Sequence, residues 1–430
     1  MIGTDPAARA LEAHLAGHDA ELVELASVLV RFETPCPPGR NAEAIQGFIA
    51  ARLRGLGFSV RTVALYPGDP QVVGVLRGRG GGRSLLLNGH VDVASTGGDE
   101  RWATPPFVPT VRDGHLFGRG AADMKGGLAS VLSALEAVVR TLGPLRGDVV
   151  VQAVTGEEMG EAGTLAALDH TPPVEFALVP EPTAGEVSLG QGGVVTGWIT
   201  IQSPQTFHDA QRRQMIHAGG GVFGASAIEK MVPVLQALER LERHWAVTKS
   251  HPGFEPGSTT INPAAIEGGR HPAFIADRCA LWVTVHFYPG ETQEAVTSEI
   301  ERTVRAAADA DPWLRENPPG FRWGGRSMIE DRGESFPAFE TRPEHPGVAA
   351  LEAAHADVHG APPRRRRSGG VSDAGWIASR GIPVAVYGPG PVDQAHAVDE
   401  HVTVDDLRRC ARVYARTIAA WCGTDGEGRG

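Results

Sequence analysis

Short apolar runs alternate along this chain with segments whose apolar residues recur at helical spacing. The runs include LLLNGHVDV, DVVVQAVTG (148–156), FALVPEP (176–182) and IPVAVYGPG (382–390). Such runs are typical of strands that are buried on both faces of a sheet. The helical segments include NAEAIQGFIAARLRGLG (41–57), GGLASVLSALEAVVRTLG (126–143) and VDDLRRCARVYARTIAAW (404–421). This alternation predicts an α/β fold, with a mostly parallel sheet and helices on both of its faces.

The pattern changes near residue 190. The strand VVTGWITIQ is followed by a long amphipathic segment (225–245), the strands STTINPAAIEGG and RCALWVTVHF, and a second helical segment. Two helices on an antiparallel sheet form a small α+β unit. We therefore predict an α/β domain in two parts, residues 1–194 and 313–430, which is interrupted by an α+β domain over residues 195–312.

Length, charge and cysteine usage narrow the class of protein. A chain of 430 residues is too long for a single hydrophobic core of ordinary size, so two domains are expected. The net charge of −11 argues against a general nucleic-acid-binding protein. We interpret the basic run Arg364 to Arg367 as a solvated loop. The four cysteines form no Cys-x-x-Cys pair. Neither a signal-peptide pattern nor an apolar run of about 18 residues is present, so we expect a cytoplasmic protein without a membrane span.

Five short stretches place His, Asp and Glu side chains at the ends of predicted strands or in tight loops. They are LLLNGHVDV, GRGAADMKGG, VTGEEMGEAGT, ALVPEPT and AHAVDEHV, which contain His90, Asp92, Asp123, Glu157, Glu158, Glu181 and His396. Taken singly, each has a structural explanation: Asp123 could be a helix N-cap, and the Glu157–Glu158 pair could be an exposed acidic turn. Taken together, they predict one site, because ligands of open α/β sheets bind at the carboxyl ends of the strands. Mixed imidazole and carboxylate groups suit zinc or a similar divalent cation.

The stretches GHVDV, WATPPFVPTVRDGHLFGRGAADMKGG, TGEEMGEAGT, PEPT and AHAVDEHV resemble, in this order, a family of dinuclear zinc metallopeptidases. That family includes acetylornithine deacetylase, succinyl-diaminopimelate desuccinylase and the glutamate carboxypeptidases. The resemblance extends from about residue 20 to residue 421. It implies a catalytic domain that is interrupted by a lid or dimerisation domain, and a homodimer. The strand VVTGWITIQ, interpreted as an exposed edge, supports pairing with a second copy.

The resemblance also assigns roles to the polar side chains. It implies two Zn²⁺ ions, which Co²⁺ or Mn²⁺ could replace. Asp123 would bridge the two ions, and a cis peptide bond would follow it. His90 and Glu181 would bind the first ion. Glu158 and His396 would bind the second.

The same resemblance implies residues that act beside the metal ions. Asp92 would orient His90, and Glu157 would be the general base that takes a proton from water. A histidine of the inserted domain, usually from the partner subunit, would stabilise the tetrahedral oxyanion. We prefer His208 to His217 for this role, because its distance from the strand VVTGWITIQ fits the family better.

The resemblance also implies residues that contact the substrate. Asn262 would contact the substrate from the inserted domain, and Gly370 belongs to the stretch GGVSDAGW, which resembles a loop that lies against the substrate. His286 occupies a position where many relatives carry arginine. Arg278 or the run from Arg364 to Arg367 would then have to bind a substrate carboxylate.

Three functions are compatible with this pattern. The first is a metal-dependent amidohydrolase that removes an acyl group from an N-acyl amino acid or a related small amide. The second is a dipeptidase or carboxypeptidase with the same metal centre. The third, from another class, is a binding protein that kept the fold but lost a ligand or the base. Every implied ligand and the base are present, which favours an enzyme.

Overall fold

The computed structural model of the chain describes residues 6–97, 101–206 and 224–424. It divides into two compact units, the first comprising Met1–Gly190, Phe339–Ser368 and Ser372–Gly430, and the second Gln191–Ala338 and Gly369–Val371. Within the described ranges, no helix has the combination of length and apolar character that crossing a membrane requires.

The helices are numbered along the chain. They are α1 (Pro6–Gly17), α2 (Asp19–Arg31), α3 (Glu43–Gly55), α4 (Lys125–Leu142), α5 (Gly163–Leu168), α6 (Ala227–Thr248), α7 (Gln293–Asp309), α8 (Pro312–Glu316), α9 (Pro346–His359), α10 (Ala374–Ser379) and α11 (Val404–Cys422). Helices α6, α7 and α8 belong to the second unit, and the others belong to the first.

The strands are numbered in the same way. They are β1 (Pro35–Cys36), β2 (Ser59–Tyr66), β3 (Asp69–Leu76), β4 (Leu85–His90), β5 (Val93–Ala94), β6 (Thr110–Arg112), β7 (His115–Phe117), β8 (Val149–Val154), β9 (Phe176–Val179), β10 (Val187–Gln191), β11 (Gly193–Gln202), β12 (Ile261–Gly268), β13 (Arg278–Phe287), β14 (Gly320–Trp323), β15 (Ser335–Phe336), β16 (Phe339–Glu340), β17 (Arg365–Ser368), β18 (Val384–Val386) and β19 (His401–Thr403).

The first unit is built on one large sheet with the order β16-β10-β18-β9-β4-β8-β3-β2, to which β17 adds beside β10. The four central strands β18, β9, β4 and β8 are parallel, and β10, β3 and β2 pair antiparallel at the flanks. Both faces are buried: Leu85 and Leu87 of β4 join the core with α4 and α11, while Leu86 packs with residues of α5 and α10 on the other face. This arrangement confirms the predicted α/β fold with a parallel centre.

The second unit is an antiparallel sheet with the order β12-β13-β11-β14 and with β15 also paired to β11. Helices α6 and α7 cover one face, where Leu238 and Ile300 pack with Ile199 and Leu281 of the strands. The strands that enter and leave this unit are adjacent, because Val194 of β11 pairs with Phe336 of β15. The unit therefore ends later than the predicted boundary at residue 312, because the short strands β14 and β15 complete its sheet.

Two details of the sequence interpretation are wrong. Strand β11, the stretch VVTGWITIQ, is not an edge, because β13 pairs on one side of it and β14 and β15 pair on the other. Among the described residues the strand order ends at β12 on one side and at β14 on the other, and β12 is exposed over almost its whole length. The basic run is not a free loop either: β17 pairs with β10, and Arg365 and Arg367 form ion pairs with Glu352 and Glu340.

Candidate active site

The predicted site lies at one edge of the large sheet in the first unit. His90 is the last residue of β4, the Glu157–Glu158 pair follows the end of β8, and Glu181 follows the end of β9. These three strands are neighbours and run parallel, so their carboxyl ends meet at the same edge. The order of strands in the sheet therefore brings together side chains that are widely separated along the chain.

Asp123 lies between the two histidines. Its Oδ1 is 3.2 Å from Nε2 of His90, and its Oδ2 is 3.4 Å from Nε2 of His396. It does not cap α4, because the residue before that helix is Met124. The peptide bond between Asp123 and Met124 is cis, as the resemblance implied. The two carboxylate oxygens thus face two different imidazoles.

Two further carboxylates complete the two groups. Oε1 of Glu181 is 3.6 Å from Nε2 of His90. On the other side of Asp123, Oε2 of Glu158 is 2.8 Å from Nε2 of His396. One atom each of His90, Asp123 and Glu158 lies within 4.8 Å of the others, a spacing at which they could hold a metal ion. The structure therefore brings together all five predicted ligands.

Asp92 contacts both sides of the site. Its backbone carbonyl accepts a hydrogen bond from Nδ1 of His90 at 2.9 Å, whereas its Oδ1 lies 3.7 Å from the same nitrogen. Its Oδ2 accepts the backbone N–H of Glu158 at 3.1 Å. Asp92 thus fixes the ring of His90 through its main chain and the Glu158 loop through its side chain.

The loop that carries Glu157 and Glu158 turns sharply at Gly156, where φ is +91°. A Cβ atom at this position would lie 2.4 Å from Cβ of Glu161, so the turn requires glycine. A short 3-10 helix, Glu157–Met159, follows directly. Oε2 of Glu157 lies 3.9 Å from Nε2 of His90, which places this carboxylate beside the predicted ligands.

Several carboxyl groups are buried close together in the site, and the pKa values of the site residues are shifted accordingly. Burial raises the pKa of Glu157 well above its ordinary value and the pKa of Glu181 to about 8. Hydrogen bonds that His396 donates to Asp123 and Glu158 raise its pKa to about 10. These shifts reflect several carboxyl groups buried close together, and among the described residues Oε1 of Glu181 is buried without a hydrogen-bond partner. A site of this composition fits divalent cations.

Glu400 was missed by the sequence interpretation, although it lies in the stretch AHAVDEHV. It is fully buried and accepts the backbone N–H groups of Gly120, Ala122 and Asp123 at 2.8–3.0 Å. Nη1 of Arg119 donates to it at 2.7 Å, and Nη2 of the same arginine donates to the carbonyl of His396 at 3.2 Å. The Arg119–Glu400 pair therefore holds the two chain segments that carry Asp123 and His396.

Asp373 is the second residue that the sequence interpretation missed. Its side chain is 2% exposed, and neither carboxylate oxygen has a hydrogen-bond partner among the described residues. Burial raises its pKa to about 6. Asp373 lies in the stretch GGVSDAGW, in which the sequence analysis names Gly370 as the substrate contact.

Three of the predicted substrate contacts belong to the second unit. Asn262 lies on β12 opposite Thr284, and Arg278 begins β13 six positions earlier, which separates the two by about 20 Å along the strands. Gly370 is exposed in the loop that follows β17. His208 and the alternative His217 lie outside the described residues.

Comparison with known proteins identifies the family. Residues 86–420 match peptidase family M20/M25/M40. The chain belongs to this family. It is 52% identical to N-formyl-4-amino-5-aminomethyl-2-methylpyrimidine deformylase of Bacillus subtilis, over 95% of this chain and 96% of that protein. The protein of the same name from Halalkalibacterium halodurans is 49% identical, over 96% of this chain and 97% of its own length.

A solved structure extends the comparison to the fold. A dinuclear metal binding peptidase of family M20 from Bacillus subtilis superposes with a TM-score of 0.65 at 15% identity, covering 94% of this chain and 98% of its own. Membership of the M20/M25/M40 family confirms the resemblance found in the sequence. The protein is therefore a metal-dependent amidohydrolase that cleaves an N-acyl amide.

Proposed function

We propose that this enzyme removes the formyl group from N-formyl-4-amino-5-aminomethyl-2-methylpyrimidine and releases formate and the free aminomethylpyrimidine. The observation that carries the proposal is 52% identity, over 95% of the chain, to a deformylase of that name. Identity at this level over nearly the whole length favours deacylation over the dipeptidase and carboxypeptidase alternatives. The intact set of ligand and base residues disfavours a binding protein.

The proposed substrate resolves a difficulty that the sequence raised. It carries no carboxylate, so the enzyme needs no arginine to anchor one. Arg278 lies far along β13 from Asn262, and Arg365 and Arg367 already form ion pairs with glutamates. His286, where many relatives carry arginine, contacts the hydroxyl of Thr260 at 3.1 Å, and burial lowers its pKa. A neutral imidazole at this position suits an uncharged heterocycle better than an anion.

We propose that five side chains hold two zinc ions. Asp123 would bridge them, because its two oxygens face different histidines. His90 and Glu181 would complete the first site, and Glu158 and His396 the second. Bound there, the ions would lower the pKa of a water molecule and polarise the formyl carbonyl. Co²⁺ or Mn²⁺ could occupy the same ligands.

The proton transfers are assigned to Glu157. Its buried carboxylate accepts a proton from the attacking water and delivers it to the departing amine. The raised pKa suits the first step, because it makes the Glu157 carboxylate a stronger proton acceptor than an exposed glutamate. Asp92 keeps His90 and the Glu158 loop in place during these transfers. His208 remains the proposed donor to the oxyanion.

We also propose a homodimer that forms through the second unit. Among the described residues, strand β12 is an outer strand of its sheet and is exposed, with Ile266 at 54% exposure. Ile228 and Val232 of α6 are exposed as well, and Ile228 lies beside Gly268 of β12. An unpaired strand edge beside an apolar helix surface favours pairing with a second copy.

All four cysteines are free and buried, which supports the reducing cytoplasm as the location.

The test measures release of the free amine from the formylated pyrimidine by the zinc-loaded protein. N-formylmethionine and the N-acetyl analogue of the pyrimidine are compared at equal concentration. We expect the formylated pyrimidine to give the highest kcat/KM. Glu157→Gln should lower kcat by about 10²–10⁴-fold with the metal content unchanged, because the proton acceptor is lost.

Glu24→Gln is the matched control, since Glu24 is exposed and pairs with Arg31 on the surface of α2. It should leave turnover unchanged. A higher kcat/KM for an N-acyl amino acid would overturn the substrate assignment but keep the reaction class. Absence of turnover with every amide, in protein that holds two metal ions per chain, would overturn the deformylase proposal.

A further inference from the structure

Arg40 forms a buried ion-pair cluster with two acids of the first unit. Its Nη1 donates to Oδ2 of Asp69 at 2.7 Å and to Oε2 of Glu161 at 2.8 Å, and its Nη2 donates to Oε1 of Glu161 at 2.9 Å. The side chains of Glu161 and Asp69 are 1% and 5% exposed. The guanidinium also stacks over the ring of Tyr66, 4.1 Å from its centroid. This geometry fixes Arg40 on three sides.

Glu161 closes the loop that carries the predicted base. Its backbone N–H donates to the carbonyl of Gly156 at 2.7 Å, and its Cβ occupies the space next to that glycine. The first and last residues of the loop, Gly156 and Glu161, are therefore in contact, and Glu157 and Glu158 lie between them. The bidentate bond from Arg40 holds the closing residue, so a shift of Glu161 would move the position of Glu157.

The segment before Arg40 contacts the other half of the site. Strand β1 pairs with β5, which matches Pro35 with Val93 and Cys36 with Ala94. The backbone N–H of Ala94 donates to Oε1 of Glu158 at 2.9 Å. The backbone of Arg40 is held as well, since its N–H donates to Oδ2 of Asp69 at 3.0 Å. One loop, residues 34–40, is thus attached both to the strand that follows Asp92 and to the loop of Glu157.

We infer that Arg40, Glu161 and Asp69 form a positioning cluster that sets the distance between the general base and the residues around His90. The inference rests on the proposed role of Glu157 as base. None of the three side chains is a predicted ligand, and none is needed to bind or to transfer a proton. Their effect on the reaction comes through the position of the loop from Gly156 to Glu161.

The first test is Glu161→Gln, which preserves shape but replaces one acceptor oxygen by an amide that faces the donor of Arg40. We expect kcat to fall by about 10- to 100-fold, because a small displacement of a catalytic group has effects of this size. KM should change by less than about threefold, because the cluster does not touch the substrate. Amide hydrogen exchange at residues 156–161 should become faster, whereas exchange in α11 should not change.

Glu136→Gln is the matched control, because Glu136 pairs with Arg52 at 2.5 Å on helices α4 and α3, outside the site. It should leave kcat unchanged. Arg40→Lys is the second variant: it keeps a positive charge between the two acids but cannot donate two parallel bonds to Glu161. It should fold and should show the same selective loss of kcat.

The outcomes separate a positioning role from a purely structural one. Lower thermal stability with kcat within twofold of the wild type, in both Glu161→Gln and Arg40→Lys, would overturn the inference. Unchanged hydrogen exchange at residues 156–161 would overturn it as well. This exchange measurement needs no substrate, so failure of the positioning cluster can be told apart from failure of the proposed deformylase reaction.

Discussion

At the scale of single residues, Glu400 has more hydrogen-bond donors around it than any predicted ligand. Three backbone N–H groups and Arg119 point at its two oxygens. Glu400→Gln would place an amide group against some of these donors and leave Arg119 buried without its counter-charge. We expect a loss of about 3–5 kcal/mol in the free energy of unfolding. We also expect metal affinity to fall by about 10- to 100-fold, because Asp123 and His396 lose their support.

Chemical denaturation and calorimetric titration with Zn²⁺ measure the two effects of Glu400→Gln. Glu352→Gln is the control, since its bidentate pair with Arg365 lies at the surface, with the two side chains 20% and 49% exposed, and should contribute less than about 1 kcal/mol. If the Glu400 variant bound zinc as tightly as the wild type, Glu400 would not position the ligands.

Residue types at strand ends were the most predictable part of the site. The five predicted ligands and the predicted base lie together because each follows or ends a strand, or opens a helix, at one edge of the sheet. Glu400 and Asp373 were not predicted, although both lie in stretches that were quoted. The role of Glu400 depends on contacts with a segment far away in the sequence, and no local pattern marks a residue as the acceptor of distant N–H groups. The burial of Asp373 likewise depends on how the chain folds around it, which its local sequence does not show.

At the scale of elements, helix α9 contacts the residue that directly follows β18 through a side chain that can titrate. Nδ1 of His355 lies 2.9 Å from the hydroxyl of Tyr387, and the ring of His359 stacks on His355. Burial, with a smaller effect of His359, lowers the pKa of His355 to about 4. The unfolded chain binds a proton near pH 6.5 while the folded chain does not. The contribution of this contact to the free energy of unfolding is therefore complete above pH 6.5. It is lost progressively as the pH drops from 6.5 towards 4.

His355→Gln keeps a side chain that can bond Tyr387 but removes the titration. We expect the melting temperature of the wild type to fall more steeply than that of the variant between pH 7 and pH 5. Thermal melts of both proteins in parallel at each pH measure this difference. Parallel pH profiles for the two proteins would show that His355 does not carry the dependence.

Long periodic elements were predicted well, and short ones were not. The segment 404–421 corresponds to α11, Val404–Cys422, and RCALWVTVHF corresponds to β13, Arg278–Phe287. The short strands β14, β15 and β17 carry no periodic signal, because two to four residues are too few to show one. Because β14 and β15 give no such signal, the sequence predicts β11 as an edge strand and places the end of the inserted domain too early.

At the scale of the whole molecule, the proposed dimer depends on the exposed strand β12. Ile266→Lys would place a charged side chain on this edge in both copies. We expect the variant to be a monomer at micromolar concentration while the wild type is a dimer, as measured by light scattering after size exclusion. Val247→Lys, at a position that is 86% exposed near the end of α6, is the control and should stay dimeric. A monomeric wild type would contradict the proposed interface.

The contact between Glu400 and the backbone of Asp123 spans 277 residues of the chain. The whole second unit is encoded between these two positions. During synthesis the segments that carry Asp123, Glu157 and Glu181 therefore leave the ribosome before Glu400, which fixes the backbone around Asp123. The second unit has its own core and can fold during that interval. A chain that stalls before residue 396 thus contains the predicted carboxylate ligands but lacks both the imidazole that faces Asp123 from the other side and the acid that holds its backbone.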